Sequence, residues 1–316
     1  MGLTTSAVAR VLGLVEVGLV DSAVSDPQRA EFARLARGMR AAFDADDDRN
    51  LMCVHVPRLM ALGLGSSTDD AESVAAICTT VYGAARLVDD LMDGQPVSYV
   101  ASGRETVLAL ATTLCASGYR VIIGSPVSDV QKVALVTEVS GMILAMGDGQ
   151  LADVRGFAVE RSAGEVLASV SGKSGAMLAG FARCGAIAAG AGAAILQACR
   201  EFGNSMGVAR QILADLAELR HADSSDAVNT ATTLPIALHL TRLDVGDHAR
   251  FFDSYRLSAG CAMTRAALLE ELAQSGALAA ARLYAEVALS DACDALDRVG
   301  LAPAERAQLD KLIDLR

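Results

Sequence analysis

The stretch from Ala176 to Met206 most constrains how this sequence can fold, because it is almost unbroken apolar sequence. It is too long for a strand and rich in alanine and glycine, so it predicts buried helices with a break at the glycine-rich middle. Only six prolines occur in 316 residues, and no stretch alternates like a half-buried strand. The sequence therefore predicts an all-α fold of about a dozen helices, in one domain over residues 1–316 whose first ~25 residues are peripheral.

Composition excludes several classes of function. The net charge of -11 argues against a nucleic-acid surface or an anionic membrane surface, which both require clustered lysine and arginine. The seven cysteines lie in apolar helical contexts without C-x-x-C spacing, which predicts reduced core residues of a cytoplasmic protein. The longest uncharged run, Cys184 to Cys199, is too short to span a bilayer, so we expect no stable membrane insertion.

Three carboxylates end one apolar helix, at Asp89, Asp90 and Asp93. Residues four apart share a helix face, so Asp89 and Asp93 project together while Asp90 points about 100° away. Two such acids repel each other unless a cation lies between them or water surrounds both. The apolar turns before Asp89 favour the cation over a solvated helix end. Mg²⁺ suits the position, since it takes one or two protein carboxylates and leaves room for phosphate oxygens.

A second apolar helix also ends in carboxylates. Gln211 opens its last turns, and Asp215 and Glu218 follow three residues apart, so these two acids face roughly the same way.

Five motifs in this order resemble the polyprenyl (isoprenyl) diphosphate synthase family over roughly residues 30–316. They are Asp89-Asp-Leu-Met-Asp93, Gly149-Gln-Leu-Ala-Asp153, Lys173-Ser-Gly-Ala-Met-Leu178, Gln211 through Glu218, and Thr233-Leu-Pro235. The resemblance implies an isoprenoid-synthase-like helical bundle with a deep central cavity, where two aspartate-rich helices hold about two or three Mg²⁺ ions on an allylic prenyl diphosphate.

The resemblance also assigns roles to single residues. Cleavage of the carbon–oxygen bond makes a prenyl cation and a diphosphate, which requires metals, a cation at the anion, and a cavity that excludes water. The implied metal ligands are Asp89 and Asp93, supported by Asp90, together with Asp215 and Glu218. Contacts to the diphosphate or the cavity mouth are implied for Lys173, Gln150, Asp153 and Gln211, and we assign Arg220 in place of a basic residue that the family carries.

Three departures from the family pattern bear on function. Cys53-Val-His-Val-Pro-Arg58 stands where synthases carry a basic motif for isopentenyl diphosphate, and Gly94 to Tyr99 replaces an arginine pair. An acceptor diphosphate would be bound poorly here, because each missing charge-assisted contact is worth about 1.5–3 kcal/mol. The leading aspartate of the second motif is Ala214.

These departures favour a terpene synthase that ionises one allylic diphosphate and lets the cation cyclise or be quenched. The scarcity of aromatic residues, 4%, counts against it. A prenyltransferase with an indole, aromatic or peptide acceptor fits the same losses. Ordinary chain elongation is disfavoured by the missing cations and is kept as an alternative. A non-catalytic partner subunit of a synthase is a further alternative.

The resemblance further predicts substrate length and assembly. Side chains before the first aspartate motif form a cavity wall in the family, and here they are Ala84 and Ala85, so a tail could extend toward Tyr82. A C15 or C20 diphosphate would then be preferred over C10. The same small residues could instead let a neighbouring helix pack closely. Flat apolar helix faces predict a homodimer.

Overall fold

The structure is a computed structural model that describes residues 3–45, 51–92, 94, 103–156, 159–221 and 224–314. The all-α prediction is confirmed, because these residues form helices and no β-strand. The α-helices are α1 Leu3–Ser22, α2 Asp26–Ala45, α3 Met52–Gly63, α4 Thr68–Met92, α5 Arg104–Gly124, α6 Asp129–Arg155, α7 Ala163–Val170, α8 Ala176–Ala188, α9 Ala193–Glu218, α10 Ser225–Asn229, α11 Leu234–Leu240, α12 His248–Ser258, α13 Ala262–Gln274, α14 Ala277–Val299 and α15 Pro303–Ile313. A π-helix at Ser171–Gly175 and a 3₁₀-helix at Val245–Asp247 complete the set.

The chain forms two compact units. Unit 1 comprises Met1–Ile143, Leu178–Arg200 and Ala295–Arg316, and unit 2 comprises Leu144–Met177 and Glu201–Asp294. Helices α6, α8, α9 and α14 each contribute residues to both units. The single domain stays a prediction.

Helix α4 is the centre of unit 1. Ser67 caps its start by accepting the Asp70 N–H at 3.1 Å, where the sequence predicts a cap. Five consecutive residues, Val74 to Cys78, have no exposed surface, so α4 is buried on all sides there. Helices α1, α3 and α5 pack around it. Val11 of α1 is fully buried. This burial does not favour a peripheral N-terminus, which stays a prediction.

Close helix packing in unit 1 depends on small residues. A Cβ on Gly185 of α8 would meet the Pro57 carbonyl oxygen and approach the Met60 Cβ at 2.8 Å on α3. Nearby, Arg183 of α8 pairs with Glu138 of α6 at 2.8 Å, and both side chains are mostly buried. The predicted break in the long apolar stretch is confirmed, since Gly190 ends α8 with a φ of 68° that favours glycine.

All seven cysteines are free thiols. Cys53, Cys78, Cys184 and Cys199 are buried, and burial raises the pKa of Cys78 well above its ordinary value. Cys115, Cys261 and Cys293 are partly exposed, so the prediction of core cysteines holds for four of the seven.

Residues 147–153 form the last turns of α6, which ends at Arg155. Two helices, α5 and α6, are also long and apolar enough to cross a membrane by length and composition, although helices that pack in soluble proteins pass the same test. The cytoplasmic location stays a prediction.

Unit 2 surrounds the C-terminal part of α9. A capping box at Ser162 and Glu165 starts α7, which continues directly into the π-helix. His239 of α11 is buried and contacts Ser275 and Glu271 at 2.9 and 3.2 Å. These contacts join α11 to α13 and to the turn that follows α13.

The first prediction concerns the contact between α8 and α3. Gly185→Ala should destabilise the protein by about 1–3 kcal/mol, because the new methyl group meets a backbone carbonyl that has no room to move. Gly141→Ala is the matched control. It lies inside α6 with nothing within 4 Å of its Cβ, and it should stabilise by about 0.5–1 kcal/mol. Urea unfolding of both variants measures the difference, and equal stabilities would contradict the packing argument.

The second prediction concerns pH. An oxygen of the Glu160 carboxylate lies 2.9 Å from His248 Nδ1, and this pairing raises the pKa of His248. Because folding raises the pKa of His248, the protonated histidine stabilises the folded protein at pH values below its unfolded pKa of about 6.5. This stabilisation is lost as the pH rises through the pKa of the folded state. His248→Gln should therefore lose stability relative to wild type at pH 6 and little at pH 8.5 in urea unfolding. Glu160→Gln should remove the same pH dependence.

Candidate active site

The carboxylates that end α4 have different environments. Asp90 is 2% exposed and pairs with Arg86 Nε at 3.1 Å. Asp89 lies half-exposed on the preceding position. Asp93 lies outside the described residues, so its predicted pairing with Asp89 is untested. Asp90 is thus held by an arginine within its own helix. The metal role of Asp89 stays a prediction.

The positions expected to line a prenyl tail divide between two faces of α4. Ala85 lies four residues before Asp89 and Tyr82 seven, so both share its face. Tyr82 packs edge-on against Phe43 of α2, with ring centroids 6.3 Å apart. Ala84 is rotated about 140° from Asp89 and is 2% exposed, inside the packed core of unit 1. A wall beside Asp89 would therefore be formed by Ala85 and Tyr82.

In unit 2, the backbone of α6 touches the π-helix at Gly149. A Cβ there would lie 2.5 Å from the Lys173 nitrogen, so only glycine permits this approach. Asn204 of α9 holds the other side, because its Nδ2 donates to the Ser171 carbonyl at 3.3 Å. Gly207 likewise leaves no room for a Cβ against Ser174. The π-helix, which is often found at functional sites, is thus fixed from two directions.

The π-helix presents Lys173 beside Asp153. Lys173 Nζ lies 3.5 Å from one Asp153 oxygen, and Arg161 lies 3.5 Å from the other. The Lys173 side chain is 26% exposed. Two cations therefore share one carboxylate, which holds both of them beside the π-helix.

A chain of hydrogen bonds leads from the π-helix to the second aspartate motif. Ser174 Oγ donates to Gln211 Oε1 at 2.7 Å, and Gln211 Nε2 donates to Asp215 Oδ1 at 2.8 Å. The serine hydroxyl thereby fixes which end of the Gln211 amide faces Asp215.

Asp215 is the most perturbed acid of the described residues. Burial raises its pKa to about 7, and the carboxylates of Asp153 and Glu218 act in the same direction, while the Gln211 hydrogen bond and Lys173 oppose them. Glu218 accepts the Ser225 N–H at 3.0 Å. A cation would relieve this crowding of carboxylates. Ala214 is exposed, on a different face of α9 from Asp215.

The structure brings together Lys173, Asp153, Gln211, Asp215 and Glu218 within unit 2. Gln150 follows Gly149 on α6 and is half-buried. Arg220 lies elsewhere, beside Leu213 and Leu216 on the far side of α9. This position does not favour the predicted contact between Arg220 and the diphosphate, which stays a prediction.

Two residues of this cluster were not predicted. Ser174 stands next to the predicted lysine, and its hydroxyl could have been considered as a hydrogen-bond donor from the motif alone. Arg161 lies in a loop ahead of α7, and only the folded chain places it against Asp153.

The stretch that replaces the acceptor-binding motif is buried at the start of α3. Cys53, Val54 and Val56 are 0–2% exposed, Pro57 is buried, and His55 is 3% exposed. Arg58 is the one cation in the stretch, and burial lowers its pKa, while Glu72 opposes this and Arg10 adds to it. Glu72 is engaged by Arg10 at 2.6 Å. These residues form a structural charge cluster and offer no group of cations.

Solved structures share this fold. A geranylgeranyl pyrophosphate synthase superposes with a TM-score of 0.81 at 17% identity over 99% of both chains. The geranylgeranyl pyrophosphate synthetase of Pyrococcus horikoshii gives 0.79 at 19% over 99% of both chains. The polyprenyl synthase of Caulobacter crescentus, solved with calcium and isoprenyl diphosphate, gives 0.78 at 19%, covering 99% of this chain and 94% of that one. The fold is therefore that of the helical isoprenyl diphosphate synthases.

The sequence comparison identifies the family. The polyprenyl synthetase family model matches residues 40–247. A short chain isoprenyl diphosphate synthase of Methanothermobacter thermautotrophicus is 25% identical over 207 residues, which are 61% of this chain and 63% of that relative. The match thus spans less than two thirds of the relative's length. This chain belongs to the polyprenyl synthetase family.

The third prediction tests the hydrogen-bond chain. Ser174→Ala removes the donor that orients the Gln211 amide, so diphosphate release from an allylic prenyl diphosphate should slow about ten-fold. Ser174→Thr keeps the hydroxyl and should retain most of the rate. Steady-state kcat and KM for both variants decide the matter, and equal rates for the two would show that the hydroxyl does not orient Gln211.

Proposed function

We propose that this chain is a Mg²⁺-dependent prenyl diphosphate synthase, which ionises an allylic prenyl diphosphate and joins it to isopentenyl diphosphate. Family membership carries the proposal, since the named relatives are isoprenyl and geranylgeranyl diphosphate synthases. Because the named relatives are chain-elongating synthases, we place chain elongation ahead of the terpene synthase reaction that the sequence alone favours. A non-catalytic subunit has less support, because the acids and Lys173 of the motifs are present.

The carboxylates of both units fit a divalent metal. Among the described residues, no three His, Cys, Asp or Glu side chains group closely enough to form a complete protein site. Mg²⁺ does not require one, because it takes one or two carboxylates together with water and phosphate oxygens. One ion would be held by Asp89 and Asp93 at the end of α4. Another would be held by Asp215 and Glu218 in unit 2. Bound metal would neutralise the charge that develops on the diphosphate.

The side chains of unit 2 then have distinct tasks. Lys173 donates to the diphosphate from a fixed position, because Asp153 and the rigid π-helix hold it. Gln211, oriented by Ser174, donates to Asp215 and keeps that carboxylate in place. On α4, the pair of Arg86 and Asp90 holds the last turns, which carry Asp89.

A second candidate is ionisation without a diphosphate acceptor, by a cyclase or by a prenyltransferase to a neutral acceptor. One observation favours it. The stretch 53–58 contributes only Arg58, and that arginine lies within the electrostatic reach of Glu72 and Arg10. A single, partly compensated cation would hold isopentenyl diphosphate weakly.

One experiment separates the two candidates. The protein is incubated with Mg²⁺ and geranyl, farnesyl or geranylgeranyl diphosphate, with and without radiolabelled isopentenyl diphosphate. Chain elongation produces labelled, longer prenyl diphosphates. Unlabelled hydrocarbons or alcohols, formed equally without isopentenyl diphosphate, would favour the second candidate. Absence of turnover with every substrate would overturn both.

The fourth prediction concerns the metal. Asp89→Ala removes an oxygen ligand and should lower the rate of diphosphate release by about 10²-fold or more, while chelation of Mg²⁺ abolishes it. Asp69→Ala, which removes an exposed acid at the other end of α4, is the control and should leave the rate unchanged. A fully active Asp89→Ala variant would refute the metal assignment, because both candidate reactions release diphosphate.

The fifth prediction is a homodimer. In unit 1, α5 exposes Leu108 and Ile123 at 53% and 63%, and α6 exposes Val130 and Val133 at 81% and 68%. A second copy would cover such apolar side chains. Light scattering at micromolar concentration should give about twice the chain mass of 32.6 kDa. A mass near that of one chain would contradict this prediction.

A further inference from the structure

A cavity in unit 2 lies behind the second aspartate motif. It has a volume of about 260 Å³, and its walls come from α9, α13 and α14. Leu213, Leu216, Leu269 and Leu278 line it. Leu213 lies two residues from Asp215, about 200° around the helix, so the cavity and the hydrogen-bonded carboxylate occupy opposite faces of α9. The cavity is therefore separate from the candidate active site.

Two arginines flank these apolar walls. Arg220 makes no side-chain hydrogen bond or ion pair with any part of the chain that the structure describes. Within the described ranges, Arg282 pairs only with Glu286, at 3.6 Å, and both side chains are almost two-thirds exposed. A pair so exposed contributes little stability, so the Arg282 guanidinium can turn to another anion at little cost. The same cavity therefore combines leucine walls with two guanidinium groups.

We propose that this cavity binds a small aliphatic anion, with the alkyl chain against the leucines and a carboxylate or phosphate head between Arg220 and Arg282. Guanidinium groups bind both heads through paired N–H donors, and the leucines remove the alkyl chain from water. The volume corresponds to about nine groups of the size of a water molecule, which suits a chain of about eight to ten carbons.

The chemistry excludes other occupants. A cationic or neutral amphiphile would bring no anionic group to the two guanidinium groups. An inorganic anion would leave the leucine walls in contact with water. The proposal is independent of the reaction that the protein catalyses, since it uses none of the acids or the lysine assigned to that reaction.

Calorimetric titration of the full-length protein with decanoate, decyl phosphate and decyltrimethylammonium, each below its micellar concentration, tests the proposal. We expect at least one anion to bind with one site per chain and the cation not to bind. Binding of decanoate alone would identify a fatty acid class of ligand, and binding of decyl phosphate alone a phosphorylated lipid class. Binding of both would show that either head is accepted.

Variants locate the site. Arg220→Gln and Arg282→Gln should each weaken anion binding about five-fold, as expected for exposed charge contacts. Ala217→Phe fills the cavity from α9 and should abolish binding. Ala279→Phe does the same from α14, and both alanines are exposed, so the core is not disturbed. Arg256→Gln, an exposed arginine that is paired with Asp253 on α12, should change nothing.

Any one of three results would overturn the proposal. The first is that neither anion binds, and the second is that binding survives both cavity-filling variants. The third is that Lys173→Gln abolishes binding, which would place the anion at the active site. Thermal unfolding of each variant confirms that it is folded before titration.

Discussion

Each unit buries a carboxylate near the end of an apolar helix, and the fold must compensate the charge of that carboxylate. An ionised acid in apolar surroundings costs several kcal/mol unless a partner compensates it. Asp90 meets the condition with a guanidinium one turn earlier on the same helix, at 3.1 Å. In the part of the chain that the structure describes, the neutral Gln211 amide is the only direct polar contact of Asp215, and burial raises the pKa of Asp215 to about 7. Asp90 is thus compensated within α4, whereas Asp215 lies in a cluster that a cation would complete.

Backbone contacts determine where the cation of that cluster lies. Lys173 has a long side chain and would be poorly positioned on an ordinary surface helix. Here the π-helix that carries it touches α6 at Gly149 and α9 at Gly207, where a Cβ would not fit. The position of the lysine is therefore set by glycines on two other helices. A substitution at either glycine would move Lys173 without removing any polar group.

The features that the sequence predicted are those set by the hydrophobic periodicity and turn residues of short stretches of chain. The all-α fold, the Ser67 cap and the break at Gly190 follow from periodicity and turn chemistry within a few residues. The cluster of Lys173, Asp153, Gln211 and Asp215 was predicted from motif order, but not its contacts.

What the sequence did not predict depends on long-range packing. Arg161 reaches Asp153 from a loop, which no local pattern encodes. Ala84 and Ala85 are adjacent and alike in sequence, yet their helix positions place one in the core and the other on the face of Asp89. Arg220 follows the second motif closely in sequence, yet the folded chain places it beside Leu213 and Leu216. Its contact with the diphosphate stays a prediction.

Charge balance explains why a chain of this composition needs a metal for the chemistry proposed. The Lys173 cluster contains two cations, Lys173 and Arg161, against the carboxylates of Asp153, Asp215 and Glu218. Even with Asp215 partly protonated, the acids balance or exceed the bases before any substrate arrives. A diphosphate would add several negative charges to that cluster. The protein side chains alone would repel it, and a divalent cation on the same carboxylates converts that repulsion into attraction.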